Sequence, residues 1–214
     1  MFPTTPDQWA YVLGACGVRP ATAAVFAPAW ADECHPGRLR RGEEELDDLL
    51  AEALYESNNL DALEENLYYS AGRIRELGAT YGPGSRWARA AAQAEDLAGH
   101  PEALAEVLYG GRFGNVNPGD GYKYRGMGLP QITFHDNYAR LGDLMGQDLV
   151  VSPQLLLQPR YAVEGLLYWW EDRIPDSAID HDDRIRKLVQ GSTLGLDRIR
   201  KLAAAARNAL EHLP

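Results

Sequence analysis

The sequence predicts a mainly α-helical protein. Three observations carry this: several stretches repeat apolar residues at helical spacing, few segments alternate in the manner of strands, and segment ends are marked by Pro, Gly and Asn. A helix is predicted over Pro20 to Trp30, followed by a His35-Pro36-Gly37 break and a basic hinge of Arg38, Arg40 and Arg41. The best-marked helix runs from Glu43 to Ser57, where Leu46, Leu49, Leu50, Ala53 and Leu54 form one buried stripe. Asn58 and Asn59 follow it and suit the left-handed conformation that ends helices. Asp61 to Ala71 carries a short helical pattern, and Ser70 to Leu77 and Ser85 to Leu97 are predicted helices. Gly110 to Gly128 is glycine-rich, holds Phe113, Tyr122 and Tyr124, and has no helical period. Irregular loops of that length in compact domains are usually functional. Leu129 to Thr133 is predicted as a short strand. Helices follow over Asn137 to Met145, Pro159 to Asp172, Asp183 to Val189 and Leu196 to Leu210.

The 214 residues fit a single domain spanning 1–214, and 45% hydrophobic with 24% charged residues is ordinary globular composition. A formal net charge of −10 repels polyanions and excludes nucleic acid as the expected partner, whereas a neutral polymer is easily accommodated. Cys16 and Cys34 are too few for a disulfide framework and are expected as inert buried thiols. No stretch approaches the ~18 apolar residues of a membrane span. Met1 to Trp9 lacks a signal-peptide pattern, so synthesis in the cytoplasm and release by another route are expected. Asp180-His181-Asp182-Asp183 precedes a helix, where acidic residues cap the N-terminus; neither a metal nor a cofactor is expected. A monomer is expected.

Cleaving a glycosidic bond needs one carboxyl to protonate the leaving oxygen and, in most families, a second to handle water or the sugar cation. Glu56 falls ~80° from the centre of the apolar stripe, at its edge. It also lies in the last helical turn, where the macrodipole disfavours a carboxylate. Both effects favour the protonated form, as a general acid requires. A solvated surface glutamate is the alternative reading of that position.

The motif context decides between them. Leu54-Tyr55-Glu56-Ser57-Asn58-Asn59 stands at the end of an apolar helix, and Glu65-Asn66-Leu67-Tyr68-Tyr69-Ser70-Ala71 begins nine residues beyond Glu56. Gly111-Arg112-Phe113-Gly114-Asn115, Gly119-Asp120-Gly121 and Tyr124-Arg125-Gly126-Met127-Gly128-Leu129-Pro130-Gln131-Ile132-Thr133 follow, then Asn137-Tyr138, Val189-Gln190-Gly191-Ser192 and Asp197-Arg198. In this order the pieces resemble the family 19 chitinases and their compact relatives among phage and bacterial endolysins, over about residues 5 to 210. The sequence departs from that pattern at Tyr55, where the pattern has histidine, at Asn58 and Asn59, where it has two glycines, at Met127, where it has arginine, and at Gln190, where it has asparagine.

The resemblance implies a lysozyme-like, two-lobed helical fold with little or no β-sheet. Its substrate cleft would lie between the Glu43 to Ser57 helix and the Gly110 to Gly128 loop. It implies Glu56 as the acid, Glu65 as the base and Thr133 as a residue that helps hold the attacking water. It also implies Tyr124, Gln131, Asn137, Gln190 and Arg198 as substrate-binding residues, with Tyr124 supplying a stacking face. Gln131 is alternatively a polar strand residue, Asn137 a helix cap, Arg125 a structural arginine paired with a carboxylate, and Glu64 the second carboxylate. The activity implied is an inverting endolysin-type hydrolysis of β-1,4 bonds beside N-acetylated sugars in peptidoglycan. That route requires carboxyls about 6.5 to 9.5 Å apart. Delivery to the wall would be through a holin or a secretion system. The alternatives are a chitinase acting on chitin oligomers, a lytic transglycosylase, and a non-catalytic wall-binding protein on the same scaffold.

Overall fold

A computed structural model describes residues 2–214. Among the described residues twelve α-helices run in chain order: α1 Pro6–Ala15, α2 Pro20–Glu33, α3 Leu46–Glu56, α4 Ala71–Tyr81, α5 Arg86–Ala91 and α6 Ala94–Leu97, then α7 Pro101–Tyr109, α8 Asp120–Lys123, α9 His135–Met145, α10 Pro159–Arg173, α11 Asp182–Gln190 and α12 Leu196–Glu211. Among the described residues there is no sheet, only isolated bridges such as Met127 with Ile132. The fold is mainly α, as the periodicity predicted.

The chain divides into two compact units. One consists of residues Met1–Leu63, Gly128–Gln131 and Gln154–Pro214, and the other of Glu64–Met127 and Ile132–Pro153.

In the first unit the predicted stripe on α3 is buried in full, together with Trp9, Trp30 and Trp170. Trp9 stacks on Trp30 with ring centroids 4.9 Å apart. The α10 residues Val163, Leu166 and Leu167 and the α12 residues Ile199, Leu202 and Ala206 close the same core. Each such leucine contributes roughly 1.5 to 3 kcal/mol by leaving water. Cys16 and Cys34 are free and buried in this core, and burial pushes the Cys16 thiol up to about 12. The second unit has a core of its own, in which Leu67, Ile74, Leu97, Leu104 and Leu108 pack.

Several elements differ from expectation, each for a local reason. α1 begins on Pro6 with the Thr5 hydroxyl accepting from the Gln8 amide at 3.3 Å, and α7 begins on Pro101; neither was predicted. Of the Asp61 to Ala71 segment only Ala71 is helical, as the first residue of α4; Asp61 and Ala62 close a turn onto Asn58 O and Ser57 O, and further on Glu65 N donates to Gly126 O and Gly99 N to Tyr69 O. Leu129 to Thr133 makes no strand, since Gln131 and then Phe134 take positive φ (49° and 76°) and curl the chain. The Gly110 to Gly128 loop contains the short helix α8. The buried Asn115 pins the loop, its amide donating to Tyr109 O and its carbonyl accepting from His135 N. Asn58 and Asn59 are left-handed as expected, at φ 49° and 60°.

Candidate active site

In the first unit the site is built on the end of α3. Glu56 is 24% exposed, the half-sheltered position predicted for it, but the neighbour that meets its carboxyl is a cation. Arg186 of α11, 0% exposed, donates from Nη1 to Glu56 Oε1 at 2.5 Å and to Glu52 Oε2 at 2.8 Å. Its Nη2 donates to Gln190 Oε1 at 2.8 Å and its Nε to Leu194 O at 2.9 Å. Burial alone would weaken the guanidinium's hold on its proton; the bonds and charges of Glu56 and Glu52 outweigh it and raise the pKa.

Tyr55, which stands where the resemblance expects histidine, lies under the same guanidinium, its ring centroid 4.3 Å from Arg186 Cζ and 5.4 Å from that of Arg198. This placement requires Gly195. Its φ of 82° is left-handed, and a Cβ there would overlap the Tyr55 ring and hydroxyl. Arg198 also donates to Asn59 Oδ1 at 3.0 Å, while Asn59 Nδ2 donates to Gly17 O at 2.9 Å. The asparagine that replaces a glycine of the family pattern therefore ties the end of α3 to two other segments.

Of the residues expected to bind substrate, Gln190 and Arg198 stand around this group. Gln190 Oε1 is occupied by Arg186 and by the Ser192 hydroxyl at 3.2 Å, so it supports the guanidinium. Gln131 belongs to this unit too, and its Nε2 donates to Gly128 O at 2.9 Å.

The second unit holds Glu65, Thr133, Asn137 and Tyr124. Glu65 Oε1 accepts from the Tyr109 hydroxyl at 2.5 Å and Oε2 from the Gly126 amide at 3.2 Å. Burial, with the Glu65 charge beside it, raises the Tyr109 pKa, so the phenol keeps its proton and remains a donor. Glu64 is paired with Arg125, which also donates to Tyr122 O at 2.6 Å and lies over the Tyr122 ring. Arg125 thus has the structural role given as its alternative. The two glutamates lie outside any helix. Both line a pocket of about 290 Å³ with Asn66, Tyr68, Tyr122 and Arg125. A larger concavity, about 440 Å³ beside Arg41, Glu43, Asp47 and Arg207, contains none of the candidate residues.

Two expectations in this unit need correction. Tyr124 is 2% exposed, its ring packed against His135 and Tyr138 and its hydroxyl donating to Val150 O at 3.1 Å. Burial leaves it no face on which a sugar can stack. Asn137 lies inside α9 and donates to Thr133 O at 2.7 Å; the cap position falls on Phe134. This bond ties the Thr133 backbone to α9.

The sequence reading missed Tyr109, Arg186 and Glu52. No local signal marks Tyr109. Arg186 sits in the charged run Asp182 to Lys187, which looks solvated until its partners on α3 are known.

No family profile matches the chain. Over 161 residues, 73% of its length, the chain is 30% identical to a glycosyl hydrolase family 19 domain-containing protein of Haemophilus influenzae, of which the alignment covers 75%.

Proposed function

The chain belongs to glycosyl hydrolase family 19, and from that premise we propose that it hydrolyses β-1,4 bonds beside N-acetylated sugars of peptidoglycan by an inverting route. Glu56 gives its proton to the glycosidic oxygen, which departs with the electron pair of the broken bond. Glu65 takes a proton from water as that water adds to the opposite face of the anomeric carbon. The Thr133 hydroxyl orients the water, Gln131 and Asn137 address sugar hydroxyls and acetamides, and Gln190 supports Arg186.

The observation that carries the reading is the contrast between adjacent carboxylates on one pocket. Glu64 is neutralised by Arg125, whereas half-buried Glu65 is held by neutral donors, the Tyr109 hydroxyl and the Gly126 amide. A carboxylate that is oriented by hydrogen bonds and not neutralised by a cation is positioned to take a proton from water. Peptidoglycan is preferred over chitin because Glu65 to Ala71 resembles the endolysin branch. Release through a holin or secretion system belongs to the same reading.

The test incubates wild type and Glu56→Gln with purified sacculi and, in parallel, with chitin oligomers. Reducing-end sugars from sacculi are expected. Anhydro-sugars would point to a transglycosylase, preference for the oligomers to a chitinase, and binding without release to a wall-binding protein. Glutamine keeps size and hydrogen bonding but has no proton to deliver, so a folded Glu56→Gln should lose about 10² to 10⁴ in rate. Retention of more than about a tenth of the rate, outside that range, overturns the assignment of the acid.

A further inference from the structure

A pyranose ring carries hydroxyls at its rim and C–H groups on its faces, so a sugar site combines polar groups with an open aromatic face. Tyr124, 2% exposed, has no such face. Four other tyrosines lie near Glu65 within the second unit, and three of them are engaged. Tyr109 gives its hydroxyl to Glu65 and meets Phe134 edge-on, the ring centroids 5.5 Å apart. Tyr69 is half-buried and edge-on to Trp87 at 5.6 Å. Tyr122 lines the pocket of Glu65 with the Arg125 guanidinium over its ring at 4.0 Å. Tyr68 lines that pocket too, is 69% exposed, and its side chain has no hydrogen bond or ring contact among the described residues.

An exposed tyrosine alone is ordinary surface; the way Tyr68 is mounted is not. Its amide donates to Asn66 Oδ1 at 2.9 Å, and Tyr69 N donates to Leu67 O at 3.0 Å, which makes Tyr68 the central residue of a three-residue turn. On one side of it Leu67 is buried in the core of the unit, and on the other Tyr69 O accepts from Gly99 N at 3.0 Å. The ring of Tyr68 is left exposed at the tip of the turn. Glu65 belongs to the same short piece of chain, and its amide is tied to Gly126 O at 2.8 Å. Carboxylate and ring therefore stand on one braced segment, which lowers the ordering cost of binding. Asn66 Nδ2 makes no bond among the described residues and is open to donate to a sugar acetamide or hydroxyl.

We propose that Tyr68 is a substrate-binding residue whose ring is the stacking face for one pyranose of an N-acetylated glycan held beside Glu65. The inference rests on the reading of the Glu65 pocket as part of a glycan-cleaving site, and adds to it a contact that it does not assign. The C–H face of the sugar lies on the open face of the ring, so phenylalanine should serve at this position and alanine should not. Stacking is made as soon as the sugar binds, so its loss raises KM more than it lowers kcat. Glycan strands of peptidoglycan and chitin oligomers both offer this face.

The test titrates the full chain, carrying Glu56→Gln to prevent turnover, with soluble glycan strands of peptidoglycan and in parallel with N-acetylglucosamine oligomers, and measures affinity by calorimetry. Adding Tyr68→Ala should weaken binding about tenfold or more, whereas adding Tyr68→Phe should change it by less than about threefold. Whichever glycan shows this pattern is the source of the stacked sugar. Because the ring is exposed, both variants should melt as their parent does by circular dichroism. An alanine variant that binds as tightly as its parent overturns the inference and leaves the Glu65 reading standing. A phenylalanine variant as weak as the alanine one overturns it as well, since the hydroxyl would then be the contact. Failure of the parent to bind either glycan overturns that reading and the inference with it. A second readout leaves Tyr68 in place: nitration of exposed tyrosines, mapped by mass spectrometry. Saturating glycan should protect Tyr68 and leave Tyr11, 41% exposed on α1, as reactive as before. Equal nitration of Tyr68 with and without bound glycan overturns the inference.

Discussion

Replacing Asp48 by asparagine should make the protein more stable in alkaline buffer and less stable in acid. Asp48 is 3% exposed. Burial, reinforced by the charges of Asp47, Asp182 and Asp180, pushes its carboxyl from an ordinary 3.8 up to about 7, although the Asp180 amide donates to it at 3.0 Å. The folded protein keeps a proton there that the unfolded chain releases above about pH 4. Because the folded state binds the extra proton, stability is fully present below the unfolded value and is lost as pH rises to about 7. At about 1.36 kcal/mol per pH unit the whole span amounts to about 4 kcal/mol. Asparagine retains an acceptor for the Asp180 amide and cannot ionise, but it buries an amino group that costs about 1 to 3 kcal/mol if unpaired. The variant should therefore gain about 1 to 3 kcal/mol at pH 8 and lose a similar amount near pH 4. Urea denaturation followed by circular dichroism across that range measures it. The difference between variant and wild type should climb by about 1.4 kcal/mol per pH unit between roughly pH 4.5 and 7. A difference that stays flat with pH would refute the reasoning, since Asp48 would then titrate alike in both states.

Glu65→Gln should cost about 10² to 10⁴ in turnover while Glu64→Gln costs little, because Arg125 already neutralises Glu64. Steady-state kinetics on sacculi decides it, and the reverse order would move the base to Glu64. Gly195→Ala should destabilise by about 2 to 4 kcal/mol, combining left-handed strain with displacement of Tyr55 from beneath Arg186. An unchanged denaturation midpoint would show that Tyr55 does not rest on this glycine.

What the sequence made legible was whatever depends on near neighbours. The stripe from Leu46 to Leu54 is buried as its spacing predicts, and Asn58 and Asn59 end the helix left-handed. Pro6 behind Thr5 and Pro101 behind His100 are helix-start signals of the same local kind, so α1 and α7 could have been read. What stayed illegible was set by distant partners. The chain from Asp61 to Ala71 has a helical pattern but is not helical before Ala71, where Glu65 N bonds to Gly126 O and Tyr69 O to Gly99 N. The neighbours of both candidate carboxyls are equally remote, Arg186 lying 130 residues from Glu56 and Tyr109 lying 44 from Glu65. The helix-end argument located Glu56 without any means of foreseeing a guanidinium on it.

The first unit is interrupted by the second, and this fixes an order of events during synthesis. Residues 64–127 and 132–153 can gather around Leu67, Ile74 and Leu104 as soon as they leave the ribosome. α3 emerges earlier but must wait, because Arg186 and Arg207, the cations for Glu52 and Asp47, lie in the last segment, 154–214. Until then these carboxylates have no reason to leave water, and burying them unpaired would be strongly unfavourable. A chain stopped short of Arg186 is expected to leave Glu52 and Asp47 without their cations and the core without Ile199, Leu202 and Ala206 of α12.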